Sequence, residues 1–351
     1  MRLALTGGGT GGHVYPALEV GRLAVEAGDD VRYFGSLRGI EKAACAADNI
    51  SFFGVAANPI PKLVSVDGLR SVIQLLSSTK QVKSQFSSWR PDALLATGGY
   101  SSAPALRAAK SLGIPIILHE QNTVPGRAIK SMGSAAVKIC IVFAKTYEYF
   151  PREKVVETGM PIRRELAARA IDQAARLEFT TLAVGGSQGA RALNNPVLDL
   201  AQRVGTDRWI HVAGPRLYEE VQASIKSMPQ GYQLESFLDA DSMAGALSIS
   251  DVAIARAGCG TIAEFAAFGL PAIFVPLPTS FANHQYHNAK EIESMGAATV
   301  VEQSDLSNLE SVWRNWREDQ SRRQRATEAL RKWAKPDAAQ RVLQVVKEAA
   351  G

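Results

Sequence analysis

The chain has 351 residues, 46% of them hydrophobic, with no low-complexity tract; that length favours two ordinary domains, each able to bury a core without disulfides or a structural metal. Three cysteines (Cys45, Cys140 and Cys259) are too few and too scattered for a disulfide framework, and five histidines without an HExxH or CxxC pattern argue against a zinc site. A net charge of +5 suits nucleotide phosphates, an anionic membrane surface or an ordinary solvated surface, so it selects no partner.

Met1-Arg-Leu-Ala-Leu-Thr6 runs straight into glycines, which predicts no secretory signal, and no segment approaches the ~20 apolar residues of a membrane span; a cytosolic location is expected. Residues 3–6 predict a short buried strand. Ala17, Val20, Ala24 and Ala27 then recur at helical spacing, and Gly28 ends that helix. Strands are expected at 31–34, 50–55, 93–96, 114–118 and 137–143, separated mostly by helices near 40–47, 69–86 and 103–112. Such alternation predicts a parallel sheet covered on both faces. The pattern restarts with a strand at 179–184, a glycine loop and a helix over 190–203, and further strands are expected at 209–212, 251–254, 271–275 and 298–301. Glycine and proline in Glu157-Thr-Gly-Met-Pro-Ile-Arg163 place a domain boundary there, giving an N-terminal domain over 1–160 and a second over 161–335. The charge-dense stretch 314–332 reads as a solvated helix, and a last helix over about 337–349 follows Lys335-Pro336.

Gly7-Gly-Gly-Thr-Gly-Gly-His13 stands between strand and helix, where consecutive glycines let backbone N–H groups approach an anion and the helix start adds partial positive charge. It contains G-x-G-x-x-G, but a nicotinamide site also wants an acid at the end of the second strand, and here that strand ends in Phe34-Gly35-Ser36. His13 follows the loop directly. An imidazole there can act as a general base, donate a hydrogen bond or simply cap the helix.

Gly185-Gly-Ser-Gln-Gly-Ala190 repeats the arrangement; Ser187 and adjacent amides can hold a phosphate, although a tight turn without ligand also uses glycine. In Arg256-Ala-Gly-Cys-Gly-Thr-Ile-Ala-Glu264, Gly258, Gly260 and Thr261 open a helix with Glu264 expected in its first turn. That carboxylate suits either a ribose diol or the helix dipole alone. Asn283-His-Gln-Tyr-His-Asn288 gathers amides and imidazoles suited to sugar hydroxyl and acetamido groups, or to the cap of a surface helix.

Taken in order, Thr10-Gly-Gly-His13, Gly98-Gly-Tyr100, His119-Glu-Gln-Asn122, the second glycine loop, Arg256-Ala-Gly258 and His284-Gln285 resemble the motifs of the MurG family. That family comprises UDP-N-acetylglucosamine:undecaprenyl-diphospho-muramoyl-pentapeptide N-acetylglucosaminyltransferases, and the resemblance covers nearly the whole chain. It implies an α/β GT-B fold, two doubly wound parallel-sheet domains facing each other across a cleft, with residues 336–351 forming a helix that returns to the first domain. It also implies an inverting transfer of N-acetylglucosamine from UDP-N-acetylglucosamine to the muramoyl sugar of lipid I, forming lipid II for peptidoglycan. No cofactor, metal or nucleic acid is expected. The enzyme would be peripheral, on the anionic cytoplasmic face of the plasma membrane.

Position by position, the resemblance assigns donor contacts to Thr10, Gly11, Gly12, Asn122 and Arg163, and the donor phosphate to Ser187. Leu238 falls at the uracil, Glu264 at the ribose with Thr261 in the same segment, and Gln285 at the sugar. His13 matches the histidine proposed as catalytic and is the first candidate to take the acceptor hydroxyl proton, with Glu120 second. Two positions depart from many relatives: His284-Gln285 stands for two glutamines, and Ala57-Asn-Pro-Ile-Pro-Lys62 for Gly-Leu-Arg-Gly-Lys-Gly. An apolar set (Leu69, Val72, Ile73, Leu75, Leu76 and Val82) flanked by Lys62, Arg70, Lys80 and Lys83 suits either an anionic lipid surface or the domain's own core. Rival readings are another GT-B enzyme, such as a glycolipid glucosyltransferase or a UDP-sugar epimerase, and an inactive scaffold that binds nucleotide sugar or recruits cell-wall partners.

Overall fold

Thirteen parallel strands in two sheets account for the described part of the chain. The computed structural model describes residues 1–58, 66–170, 178–186, 189–205, 207–225, 227 and 230–351, without the side chains of residues 66 and 67. Two units result: Met1–Arg163 joined by Asp337–Gly351, and Arg164–Pro336.

In unit 1 the strands are β1 (Arg2–Thr6), β2 (Asp30–Ser36), β3 (Ser51–Val55), β4 (Ala93–Ala96), β5 (Ile116–Glu120), β6 (Lys138–Ile141) and β7 (Val155–Glu157), in the order β3-β2-β1-β4-β5-β6-β7. Period-2 alternation sends each strand's side chains to opposite faces. Leu3 and Leu5 pack with Val14, Ala17 and Leu18 of the helix Gly11–Glu26 and with Val342 and Val346 of the helix Ala338–Ala350. Ala4 faces the other way, into a cluster holding Val82 and Phe86 of the helix Val66–Trp89 and Leu106 of the helix Ala103–Leu112. Phe34 meets Phe86 edge-on, with ring centroids 4.7 Å apart. The C-terminal helix is therefore part of unit 1's core, although the rest of unit 1 ends at Arg163.

Unit 2 contains β8 (Thr180–Val184), β9 (Arg208–Val212), β10 (Tyr232–Glu235), β11 (Val252–Ala255), β12 (Ala272–Phe274) and β13 (Ala298–Val300), in the order β10-β9-β8-β11-β12-β13. The short strands β7 and β10 have no counterpart in the sequence reading; with three and four residues they carry too little pattern to stand out. Residues 314–332 also differ from expectation. They belong to two helices, Leu309–Glu318 and Gln320–Trp333, and Trp313 and Trp316 are fully buried. Trp313 stacks on Trp209 at 5.5 Å and donates to Thr181 Oγ1 at 2.9 Å, while the Trp316 indole donates to Thr299 Oγ1 at 3.0 Å. Dense charge marks the outer face of these helices and masks the two tryptophans that dock the first of them.

In both sheets the strand order reverses beside the first strand, at β1/β4 and at β8/β11. Ligands of open α/β sheets bind beyond the carboxyl ends of strands at such reversals. Both glycine loops begin there.

Candidate functional site

In unit 1, Thr10 is the N-cap of the helix Gly11–Glu26, so Gly11, Gly12 and His13 form its first turn. Thr10 and Gly12 are exposed, and Gly11 and His13 partly so. His13 Nδ1 lies 2.9 Å from the carbonyl oxygen of Thr97, which follows β4. A carbonyl only accepts, so Nδ1 carries the hydrogen and the neutral ring's lone pair resides on Nε2. Thr97 in turn donates its hydroxyl to His13 O at 2.6 Å, and Gly8 N donates to Gly98 O at 3.1 Å. The loops after β1 and β4 are thus stitched together. Gly99 is required for this: its φ is +81°, and a side chain there would strike Gly8 O.

Beyond the next strand, β5 ends in His119 and Glu120. His119 is fully buried and donates from Nε2 to Gly159 O at 2.9 Å; burial, then the approach of His13, holds its pKa down at about 4. Glu120 is also buried. One oxygen accepts from Asn122 N at 2.9 Å and Asn122 Nδ2 at 3.3 Å, and the other from Gly126 N at 2.9 Å. Burial pushes its carboxyl up to about 7, against the lowering effect of those N–H groups. Glu120 therefore shapes the 120–126 loop and orients Asn122. Arg163 is partly buried at the end of unit 1's first segment.

In unit 2, β8 leads into Gly185 and Gly186, while Ser187 and Gln188 lie outside the described residues. Gly189 (φ +76°) lies where any Cβ would strike Ala213 O. That carbonyl accepts from Asn194 Nδ2 at 3.0 Å, and Asn194 Oδ1 lies 3.1 Å from His211 Nε2 in a buried Tyr232–His211–Asn194 chain.

Next to β8, β11 opens the helix Cys259–Phe268 with Gly258 as its N-cap. Thr261 is in the first turn. Glu264 is not: it falls in the second, and no acid occupies the first. The macrodipole effect fades within one turn, so dipole complementarity accounts for Glu264 less well than the sequence spacing suggested. Arg256, buried, donates to Val275 O (3.0 Å), Pro276 O (3.1 Å) and Gln303 Oε1 (2.7 Å), and burial lowers its pKa. The loop it holds leads to Leu277, whose N–H donates to Gln285 Oε1 at 2.9 Å, so the amide nitrogen is the donor that Gln285 retains. His284 Nδ1 donates to Phe281 O at 2.9 Å, and burial lowers its pKa, so the neutral ring keeps Nε2 as an acceptor. Ala282 (φ 48°) and Asn283 (φ 53°) are consecutive left-handed residues ahead of this pair. Such non-glycine strain is characteristic of ligand-facing segments. Leu238 is buried between β10 and the helix Ala240–Ile249.

Within unit 1 the structure thus gathers Thr10, Gly11, Gly12, His13, Glu120 and Asn122 at the carboxyl ends of β1, β4 and β5; within unit 2, Leu238, Thr261, Glu264 and Gln285 follow β10, β11 and β12. Residues 3–141 match the glycosyltransferase family 28 N-terminal domain, and residues 180–342 match the glycosyltransferase family 28 C-terminal domain. The UDP-N-acetylglucosamine--N-acetylmuramyl-(pentapeptide) pyrophosphoryl-undecaprenol N-acetylglucosamine transferase of Bacillus subtilis is 34% identical over 361 residues, covering 99% of each chain. This chain belongs to the MurG family. The crystal structure of MurG from Acinetobacter baumannii agrees with a TM-score of 0.82 at 30% identity, covering 99% of this chain and all of that one. Two parallel α/β sheets of this topology are the GT-B fold of the MurG family, and the chain is a glycosyltransferase. UDP-GlcNAc 2-epimerase from Neisseria meningitidis, solved with UDP-GlcNAc, shares the fold alone, at 13% identity and a TM-score of 0.68.

Thr97 and Arg256 have structural claims on the site that the sequence reading did not assign. Arg256 belongs to the Arg256-Ala-Gly258 motif, but its carbonyl partners lie 19 and 20 residues away at the end of β12, which spacing does not reveal. Of the apolar set in the helix Val66–Trp89, Leu69, Ile73 and Leu76 are exposed, whereas Val82 is wholly buried beside Phe86 and belongs to the core. Lys62 and most of the altered 57–62 loop lie outside the described residues. Among the described residues no group of histidine, cysteine, aspartate and glutamate could hold a metal, and no helix is long and apolar enough to cross a membrane.

Proposed function

We propose that this chain transfers N-acetylglucosamine from UDP-N-acetylglucosamine to the C4 hydroxyl of the muramoyl sugar of lipid I, releasing UDP and forming lipid II for peptidoglycan. The observation that carries the proposal is full-length 34% identity with the Bacillus subtilis transferase, spanning both glycine loops. The same residues support a role for each unit.

In unit 1, His13 is the general base. Its fixed tautomer points the lone pair through Nε2, which takes the hydroxyl proton as the oxygen attacks the anomeric carbon. The bond from that carbon to the β-phosphate oxygen breaks, its electron pair leaves with UDP, and the configuration inverts. Thr10, Gly11, Gly12, Asn122 and Arg163 serve the donor, and Glu120 positions Asn122. In unit 2, Ser187 and the amides of its glycine loop take the diphosphate, Leu238 borders the uracil, and Glu264 and Thr261 serve the ribose side. Gln285 donates to a sugar hydroxyl through its amide nitrogen, its oxygen being held by Leu277 N–H.

The protein is further proposed to work as a peripheral enzyme on the cytoplasmic face of the plasma membrane, with the exposed Leu69–Ile73–Leu76 stripe and its neighbours Arg70, Lys80 and Lys83 meeting anionic lipid. Transfer of labelled N-acetylglucosamine from UDP to a short-chain lipid I analogue tests the activity. Lipid II analogue formation is expected; labelled product with a diacylglycerol acceptor and none with lipid I would replace this reading with that of a glycolipid transferase.

A further inference from the structure

Glu41 is the least explained group in unit 1. It is the first residue of the helix Glu41–Ala47, is wholly buried, and neither of its carboxylate oxygens has a hydrogen-bond partner among the described residues. Ser101, beside the Gly98-Gly99 turn, is buried with its hydroxyl in the same condition. Both converge on one spot. The space into which a side chain at Gly8 would project is filled by Glu41 Oε1 and Ser101 Oγ, and the corresponding space at Gly39 by the other Glu41 oxygen.

Two nearby donors are committed elsewhere. Tyr33 gives its hydroxyl to Gly7 O at 2.8 Å, and Gly8 N gives its hydrogen to Gly98 O. A helix start favours a carboxylate, but that explains an acid at this position, not its withdrawal from water without a donor. Buried groups left unmatched in this way are uncommon and are found mainly at functional or strained sites. The segment in question is Gly7-Gly8-Gly9, whose peptide planes can rotate without side-chain hindrance.

We infer that Glu41, with Ser101, is a positioning residue for the first glycine loop: its carboxylate accepts backbone N–H from the Gly8–Gly9 segment when that loop closes on the pyrophosphate of a bound substrate. This rests on the proposed transferase reading, in which two substrates carry that chemistry, the nucleotide donor and the lipid-linked acceptor. Substrate binding then turns N–H groups of the Gly8–Gly9 segment to Glu41, in exchange for the Gly8 N–Gly98 O bond of the free loop.

The test uses the full chain with Glu41→Gln and, because a buried change can impair folding, Ser101→Ala as a second variant. Calorimetry with UDP and steady-state transfer to a lipid I analogue separate the two sources of pyrophosphate. Glu41→Gln should melt near the parent temperature, since neither carboxyl oxygen has a hydrogen bond to lose in the free loop, yet lose at least tenfold in one arm. A weakened UDP affinity assigns the donor; a raised KM for the lipid I analogue at unchanged UDP affinity assigns the acceptor. Ser101→Ala should move the same arm by a smaller factor. Parent values in both arms for a folded variant overturn the inference while leaving the function intact, as does a lowered melting temperature with unchanged substrate constants, the signature of a purely structural acid. Failure of the parent protein to bind UDP and to transfer sugar removes the function and this inference together.

Discussion

The tautomer of one imidazole carries the chemistry proposed for unit 1. His13 keeps its Nδ1 hydrogen on Thr97 O, across 84 residues of sequence, and so presents Nε2. Removing the ring in His13→Ala should lower turnover by ~10²–10⁴-fold with little change in UDP affinity; near-parent turnover would exclude it as the base. In unit 2, His284 and Gln285 are held in opposite polarity, one as acceptor and one as donor. Replacing His284 with Phe keeps the bulk and deletes the acceptor, a loss of about 1 kcal/mol, so UDP-N-acetylglucosamine should bind ~5–10-fold more weakly while UDP alone is unaffected. Equal losses for both ligands would show that His284 supports the loop and does not read the sugar. The glycine loops and His13 were legible in the sequence because their signal is local: small residues packed between strand and helix patterns. Thr97, Arg256 and Glu41 were not, because each acts through neighbours that only the fold brings near.

At the level of elements, apolar spacing located most strands and helices, and failed where exposure and burial share one helix. The helix Val66–Trp89 is the clearest example: Val82 and Phe86 seal the core, while Leu69, Ile73 and Leu76, at i, i+4 and i+7, stand more than half exposed. Periodicity identified the helix but could not say which of two apolar faces the core would take. An exposed apolar stripe of this kind suits the lipid contact proposed for it. Changing Leu69, Ile73 and Leu76 together to Ser should leave the melting temperature nearly unchanged, because their side chains contribute little buried area, and should reduce flotation with vesicles containing anionic lipid. Flotation equal to that of the parent would remove this helix from the membrane contact. The helices Leu309–Glu318 and Gln320–Trp333 teach the converse, since a sequence dense in arginine and glutamate concealed two buried tryptophans.

On the scale of the whole molecule, the two units carry different buried titrating groups and should respond differently to acid. In unit 2, His211 is held neutral by burial, its pKa lowered to about 4, and burial lowers His284 as well. An unfolded histidine binds its proton near pH 6.5. Between that pH and about 4 the unfolded state therefore holds more protons than the folded one, so the contribution of His211 is complete above pH 6.5 and is lost as the pH falls to 4, up to about 3 kcal/mol. Unit 1 has the same contribution from His119, lowered to about 4, but it also holds Glu120, raised to about 7. For Glu120 the sign reverses: from about pH 4.5 to 7 the folded state holds more protons, and acidification favours folding. The two effects offset each other in unit 1 through much of the range, while unit 2 has no such counterweight among its described groups. Acid should consequently loosen unit 2 first. Trp209, Trp313, Trp316 and Trp333 all lie in unit 2 and only Trp89 in unit 1, so intrinsic fluorescence reports unit 2 selectively. The urea midpoint read by fluorescence should fall between pH 6.5 and 4.5, and fall further than the midpoint read by hydrogen exchange of the strands of unit 1; parallel shifts by both probes would mean that the units do not titrate as their buried groups dictate.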